Sequence, residues 1–208
     1  MVLYKKREKF NQLSIKIGIL FSKFGLSPNT WTLLSLLPVL VSAYFIIKQQ
    51  FLEAAAFFAI AAFLDLVDGS VARVTGRVSK FGAYLDTIVD RYVEGIILLS
   101  MLFLNLPLLK VGEFYFSSSI LVYFCLFGSL MTSYAKAAAK EKEITKEEIK
   151  GGYFERAERL ILLFAGILLA YVKIMYLVWV LFVLAVLTNF TALQRIWIAK
   201  KETTKKHK

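Results

Sequence analysis

Six apolar runs, at residues 31–47, 51–73, 82–105, 114–138, 157–172 and 174–198, leave this chain few ways to fold. Each approaches the length at which a helix crosses about 30 Å of hydrocarbon. Lipid offers the backbone no hydrogen-bond partner, so such runs satisfy their own N–H and C=O groups as helices. The fifth is short, and spans only if its charged start at 155–159 sits at the interface and its long side chains reach back to water. The chain is 58% hydrophobic with a mean hydropathy of +0.64, above the roughly 45–50% apolar content of soluble domains. We expect an all-α, polytopic membrane protein with six transmembrane helices, built as a single domain over residues 1–208 with no internal repeat.

Charge fixes the expected orientation, because cytoplasmic loops retain Lys and Arg. With both termini inside, only Lys48, Lys110 and Lys173 of the 26 basic residues fall in the opposite loops, leaving 23 on the cytoplasmic side. The net charge of +11 therefore flanks membrane helices, where anionic headgroups and phosphorylated substrates are nearer partners than nucleic acid. The first thirty residues do not read as a cleavable signal, since Lys5, Lys6, Arg7 and Lys9 precede an amphipathic stretch, not a continuous apolar core. Phe10, Leu13, Ile17, Leu20 and Phe21 share one helical face, which suits an N-terminal amphipathic helix lying in the interface or packed on the protein. Residues 140–150 read as a solvated helical extension, and the tail 200–208, with His207, as a frayed basic end drawn to anionic lipid. Cys125 stands alone in an apolar run and reads as a buried, inert thiol.

Against that background, residues 65–90 stand out as D-x2-D-G-x2-A-R-x8-G-x3-D-x3-D. Ionisable groups inside apolar segments are costly, and four carboxylates would repel one another unless cations bound them. Asp65 and Asp68 are three apart and Asp86 and Asp90 four apart, so each pair lies on one face of its own helix. Two such faces make a metal cage. A structural alternative pairs the carboxylates with Arg73, Arg77 and Arg91, but it does not account for the spacing. Intramembrane carboxylates also occur in cation and proton transporters; those sites sit near the midplane, whereas this motif flanks a short basic loop at the ends of two helices.

Asp65, Asp68, Gly69, Ala72, Arg73, Gly82, Asp86 and Asp90 together match the signature of the CDP-alcohol phosphotransferases, and the chain is identified as a member of that family. The resemblance implies a metal-dependent transfer from a CDP-alcohol with release of CMP. It places Asp65 and Asp86 across two ions, Asp68 on the first, and Asp90 on the second as well as in the role of base. Hard carboxylate ligands suit Mg²⁺, with Mn²⁺ as the alternative, and the absence of clustered Cys and His argues against zinc. The resemblance also implies a juxtamembrane helix and a homodimer. Arg73 and Ser79 fall at the CDP site, with Arg73 suited to a multi-donor grip on phosphate and Ser79 to capping the third helix. Gly69, Ala72 and Gly82 let a nucleotide approach the backbone, or let helices pack closely. Ser27-Pro28-Asn29-Thr30-Trp31-Thr32 resembles the family's P-N-x-x-T element, which carries Asn29 and Thr32 to the nucleotide, although Pro28 and Asn29 also read as helix-start chemistry.

The acceptor is addressed by the second half of the chain. Ser133-Tyr134-Ala135-Lys136-Ala137 and the segment from Gly151 through Glu155, Arg156 and Ala157 to Arg159 resemble the phosphatidylinositol-phosphate synthase branch, with Ala135 and Ala157 departing from it. That branch implies inositol 1-phosphate as acceptor and a diacylglycerol or archaeol CDP-lipid as donor. A dianionic acceptor needs basic partners, for which Lys136, Arg156, Arg159 and Arg195 are the candidates. The competing reading is helix-end charge, with Glu155 and Arg159 paired at i,i+4 and Arg195 snorkelling. Two alternative reactions use the same core: di-inositol phosphate phosphate synthesis from CDP-inositol, and phosphatidylglycerophosphate synthesis with glycerol 3-phosphate. The expected location is the cell membrane, multi-pass, with the active site cytoplasmic.

Overall fold

A computed structural model describes residues 2–144 and 154–206, and side chains over 12–144 and 154–204. The side-chain readings at Lys5, Lys6, Arg7, Lys9 and Phe10, the stretches 145–150 and 151–153, and the tail from 205 through His207 lie outside those ranges. The chain is helical almost throughout: α1 (Val2–Ser22), α2 (Pro28–Leu34), α3 (Leu36–Ile47), α4 (Phe51–Val74), α5 (Lys80–Ser100), α6 (Ser118–Glu141), α7 (Arg156–Val172) and α8 (Ile174–Lys206). A single 3-10 turn at Met101–Phe103 follows α5. Each apolar run of the sequence is largely helical, the first being divided between α2 and α3. Among the described residues, three stretches are both long and apolar enough to cross a membrane, namely Pro28–Ile47, Ser118–Glu141 and Ile174–Thr204. Of the others, α4 and α5 carry the charged motif residues and α7 has only 17 residues.

One departure from the all-α expectation lies at 109–116. The run 114–138 begins as a strand, because Leu109–Val111 (β1) and Phe114–Phe116 (β2) form an antiparallel hairpin pairing Leu109 with Phe116 and Val111 with Phe114. Gly112, at φ +60°, supplies the left-handed residue of the two-residue turn. Consecutive aromatics favour a strand where a turn is available, and apolar content alone does not distinguish the two. Helix α6 starts only at Ser118, where the Ser117 side chain accepts from the Ile120 N–H.

The contacts divide the chain into two compact units: residues 1–45 with 53–97, and 46–52 with 98–208. In the first, Pro38 explains why α2 and α3 are separated at Ser35, since it has no N–H for the Leu34 carbonyl one turn back. Helices α3 and α4 form a hairpin held by Ser42 Oγ donating to the Ala54 carbonyl (2.8 Å) and by stacked Phe45 and Phe57 rings. Trp31, Val67 and Val71 make a core into which Ile17 and Phe21 of α1 and Leu34 and Leu64 also pack. The predicted apolar face of α1 is thereby divided. Ile17 and Phe21 touch protein, whereas Leu13 and Leu20 are more than half exposed.

In the second unit, α6 and α8 approach closely at Gly128, where a Cβ would collide with Thr188 and Asn189. Polar groups tie this seam together. Thr132 Oγ1 reaches the Thr188 carbonyl (3.1 Å), Asn189 Nδ2 donates to the Phe124 carbonyl (2.9 Å), and the buried Cys125 thiol donates to the Leu181 carbonyl (3.1 Å). Cys125 is thus buried, as its place in an apolar run implies.

Candidate active site

The motif folds as helix, turn, helix. Helix α4 ends at Val74, after which Gly76 adopts φ +66° and the Arg77 N–H closes back on the Ala72 carbonyl (3.0 Å). This is the left-handed C-cap that glycine adopts without steric cost. No atom stands within 4 Å of a Cβ built on Gly76, so backbone conformation alone selects glycine. Two residues past Arg77, Ser79 caps α5 by accepting from the Gly82 N–H (3.0 Å), as its type and position predict. The turn brings the two acidic faces together. One carboxylate oxygen from each of Asp65, Asp68 and Asp86 lies within 4.8 Å of the others. Ligands of a hard cation stand about 2.0–2.6 Å from it and so at most about twice that apart, which lets this group converge on one ion. The donors are all carboxylate oxygens, which fits a hard divalent metal.

Asp90 is the member the structure does not bring into that group. It lies one turn farther along α5, buried, with Arg91 Nη2 at 3.8 Å from Oδ2. The same guanidinium holds the buried Glu94 at 3.4 Å. Sequence reasoning passed over Glu94, although a carboxylate four residues beyond Asp90 in an apolar run carried the same signal as the motif itself.

An open cleft of about 190 Å³ adjoins the carboxylates. Asn29, Thr32, Gly69, Arg73, Ser79 and Gly82, the six residues assigned from sequence to the nucleotide, all line it together with Asp68 and Asp86. The volume is below the roughly 300–1,000 Å³ of pockets that enclose a drug-sized ligand. Its small residues act in two ways. At Gly82 a Cβ would stand 3.1 Å from both Asn29 Oδ1 and Ser79 Oγ, so side-chain absence there accommodates two polar groups. At Gly69 the nearest atom to a Cβ would be Arg73 Nη1 at 3.4 Å, which is ordinary contact and not helix packing.

Thr32 has a task the sequence did not disclose: its hydroxyl donates to Asp68 Oδ2 at 2.5 Å. A buried carboxylate held this way keeps a fixed orientation toward its neighbours. Ser27 caps α2 by accepting from the Thr30 N–H (3.2 Å), and Pro28 opens that helix, confirming the helix-start reading of this element. Arg77 and Val78 also line the cleft and were not assigned to it from sequence. Both sit in the turn, where no periodicity signals orientation.

The basic residues assigned to the acceptor all belong to the second unit. Arg195 of α8 is buried and donates through Nη1 to the Thr132 carbonyl (2.7 Å), with Nη2 3.9 Å from Glu155 Oε1. It therefore does not snorkel, and Glu155 faces it across elements. Arg159 is 2% exposed, Arg156 lies in the same first turn of α7, and Lys136 is half-buried on α6.

Apolar helices, a lined cleft and an acidic group whose donors fit a divalent metal point to a membrane enzyme. Residues 26–205 match the CDP-alcohol phosphatidyltransferase family model, and the chain belongs to that family. It is 35% identical over 201 residues to the archaetidylinositol phosphate synthase of Pyrococcus horikoshii, covering 96% of this chain and 97% of that one. It is 32% identical over 187 residues to the phosphatidylinositol phosphate synthase of Corynebacterium glutamicum, covering 89% and 83%. The crystal structure of Mycobacterium tuberculosis phosphatidylinositol phosphate synthase with CDP-DAG bound superposes with a TM-score of 0.76 at 25% identity, covering 90% of this chain and 94% of that one. The same enzyme has also been solved in complex with manganese and citrate.

Proposed function

We propose that this protein transfers a phosphatidyl-type group, diacylglycerol or archaeol phosphate, from a CDP-lipid to inositol 1-phosphate and releases CMP. The observation that carries the reading is the convergence of the six nucleotide candidates and the acidic group on one cleft. The inositol phosphate synthases among its relatives support the choice of acceptor. Asp65, Asp68, Asp86 and Asp90 would hold two Mg²⁺ ions. Bound there, the ions supply neutralisation of the charge that develops on the attacking and leaving oxygens.

The chain's own residues bind and orient around that centre. Arg73 grips the donor's pyrophosphate, Thr32 fixes the Asp68 carboxylate, and Asn29 and Ser79 flank the site at Gly82. The acceptor's hydroxyl oxygen forms a bond to the phosphorus that carries the lipid alcohol, and the bond from that phosphorus to the CMP oxygen breaks. Asp90 accepts the hydroxyl proton. Lys136, Arg156, Arg159 and Arg195 are assigned to the phosphate already present on the acceptor. The enzyme acts as one catalytic domain with six transmembrane helices, as a homodimer, with α1 at the cytoplasmic interface and the cleft facing the cytoplasm.

Radiolabelled CDP-lipid offered inositol 1-phosphate, free inositol, serine and glycerol 3-phosphate in parallel tests the reading. Preference for inositol 1-phosphate is expected. Preference for glycerol 3-phosphate would remove the inositol assignment and leave the family. Cross-linking in bilayers that recovered only monomers at active concentrations would remove the dimer.

A further inference from the structure

Arg73 lines the donor cleft, but its guanidinium is held from the other side by α1, none of whose described side chains lines that cleft. Arg73 Nη2 donates to Ser14 Oγ of α1 at 2.8 Å, and Ser14 Oγ lies 2.8 Å from Ser70 Oγ. Ser70 in turn donates to the Leu66 carbonyl at 2.7 Å. A guanidinium only donates, so Ser14 Oγ accepts from Arg73. Arg73 Nη2 also donates to Ser70 Oγ at 3.4 Å, and with the Ser70 proton turned to the Leu66 carbonyl the Ser14 proton is the one available for the Ser14–Ser70 bond. Both serines are buried. Four residues along α1, Gly18 seats the helix on α4, where an added Cβ would stand 2.6 Å from the Ser70 backbone oxygen.

We infer that Ser14, a residue of the N-terminal helix, is a positioning residue for the donor site, orienting the Arg73 guanidinium toward the CDP pyrophosphate through a directed chain of hydrogen bonds. The inference rests on the reading of Arg73 as the donor's phosphate contact. An untethered arginine samples many rotamers, and ordering it at the moment of binding weakens the ligand. Ser14 therefore acts on donor affinity before it acts on chemistry.

The test is a double-mutant cycle on the full-length enzyme, reading the KM for CDP-lipid, the KM for inositol 1-phosphate, kcat, and the Kd for soluble CDP. Ser14→Ala is expected to raise the donor KM and the CDP Kd about three- to tenfold while leaving the acceptor KM unchanged, the scale of one hydrogen bond to a charged group partly replaced by Ser70. Ser14→Thr keeps the hydroxyl and restores both values; its methyl group has room in the open groove beside Ser14, Ser70 and Val74. In the Arg73→Ala background, Ser14→Ala is expected to have no further effect. Gly18→Ala, which lifts α1 from the Ser70 carbonyl, reproduces the Ser14→Ala pattern. An equal Ser14→Ala effect with and without Arg73 overturns the inference, as does a normal CDP Kd in Ser14→Ala when Arg73→Ala weakens CDP. If Arg73→Ala itself leaves donor KM and CDP Kd unchanged, the reading of Arg73 fails and the inference with it.

Discussion

The two units of the chain gather their candidate site residues in opposite ways. In the first, Asp65, Asp68 and Asp86 come from two consecutive helices joined by one short turn, and the group closes over 22 residues of sequence. In the second, Arg195 meets the Thr132 carbonyl 63 residues earlier and Glu155 from a third element. Helical periodicity and cap chemistry suffice to build the acidic site. The environment of Arg195 exists only once α6 and α8 have packed, at a seam set by Gly128 against Thr188. A locally encoded site tolerates changes elsewhere in the chain, whereas one assembled across elements depends on the packing that forms it.

The strongest way to break this comparison is at the carboxylates. Asp65→Asn or Asp86→Asn should lower CMP release by at least about a thousandfold, because each removes charge that neutralises the reacting oxygens. Thermal unfolding should be little changed, and EDTA should reproduce the loss in the parent protein. Near-normal turnover in either variant with Mg²⁺ present would contradict the metal role of the group.

Next in size is Arg195→Ala, expected to raise the inositol 1-phosphate KM about tenfold to a hundredfold with a smaller change for the donor. It should also lower stability, since it deletes a buried cation bonded to a helix carbonyl. Equal weakening of donor and acceptor would separate Arg195 from the acceptor and leave it a packing role.

Gly128→Val tests the seam itself. Overpacking against Thr188 should cost about 1–3 kcal/mol in denaturant unfolding, with the CDP Kd nearly unchanged if the donor cleft is encoded locally. A large loss of CDP affinity would show that the cleft depends on packing in the other unit. The smallest effect is expected at Gly76→Ala, which places a Cβ on a left-handed residue at a cost of about 1 kcal/mol. Some loss of metal affinity should accompany it, because this turn sets the approach of Asp86 to Asp65 and Asp68.

Spacing alone placed each carboxylate pair on one face of its helix, and the helix start at Pro28 and the cap at Ser79 followed from residue type, because both depend on atoms within about one helical turn. The six nucleotide candidates came from the family resemblance, and it is the packing of α2 against α4 and α5 that brings them to one cleft. Where the reading fell short, the cause was competition between structures of similar composition. Phe114, Tyr115 and Phe116 suit a strand as well as a helix, and Gly112 decided between them. Of the described residues on the apolar face of α1, Ile17 and Phe21 pack on the core of Trp31 and Val67 while Leu13 and Leu20 stay exposed, a division that periodicity does not specify.

The sequence by itself determined the helical membrane character of the chain, its family, and the acidic group that could hold a metal, since each is written in apolar run length or motif spacing. Tertiary structure decided which side chains serve one another. It set Thr32 on Asp68, left Asp90 with Arg91 outside the close acidic group, buried Arg195, and placed Ser14 behind Arg73. Those partnerships join residues from 36 to 63 positions apart in three of the four cases. No local propensity specifies such pairs, because a hydrogen bond across two helices exists only where their packing sets the distance.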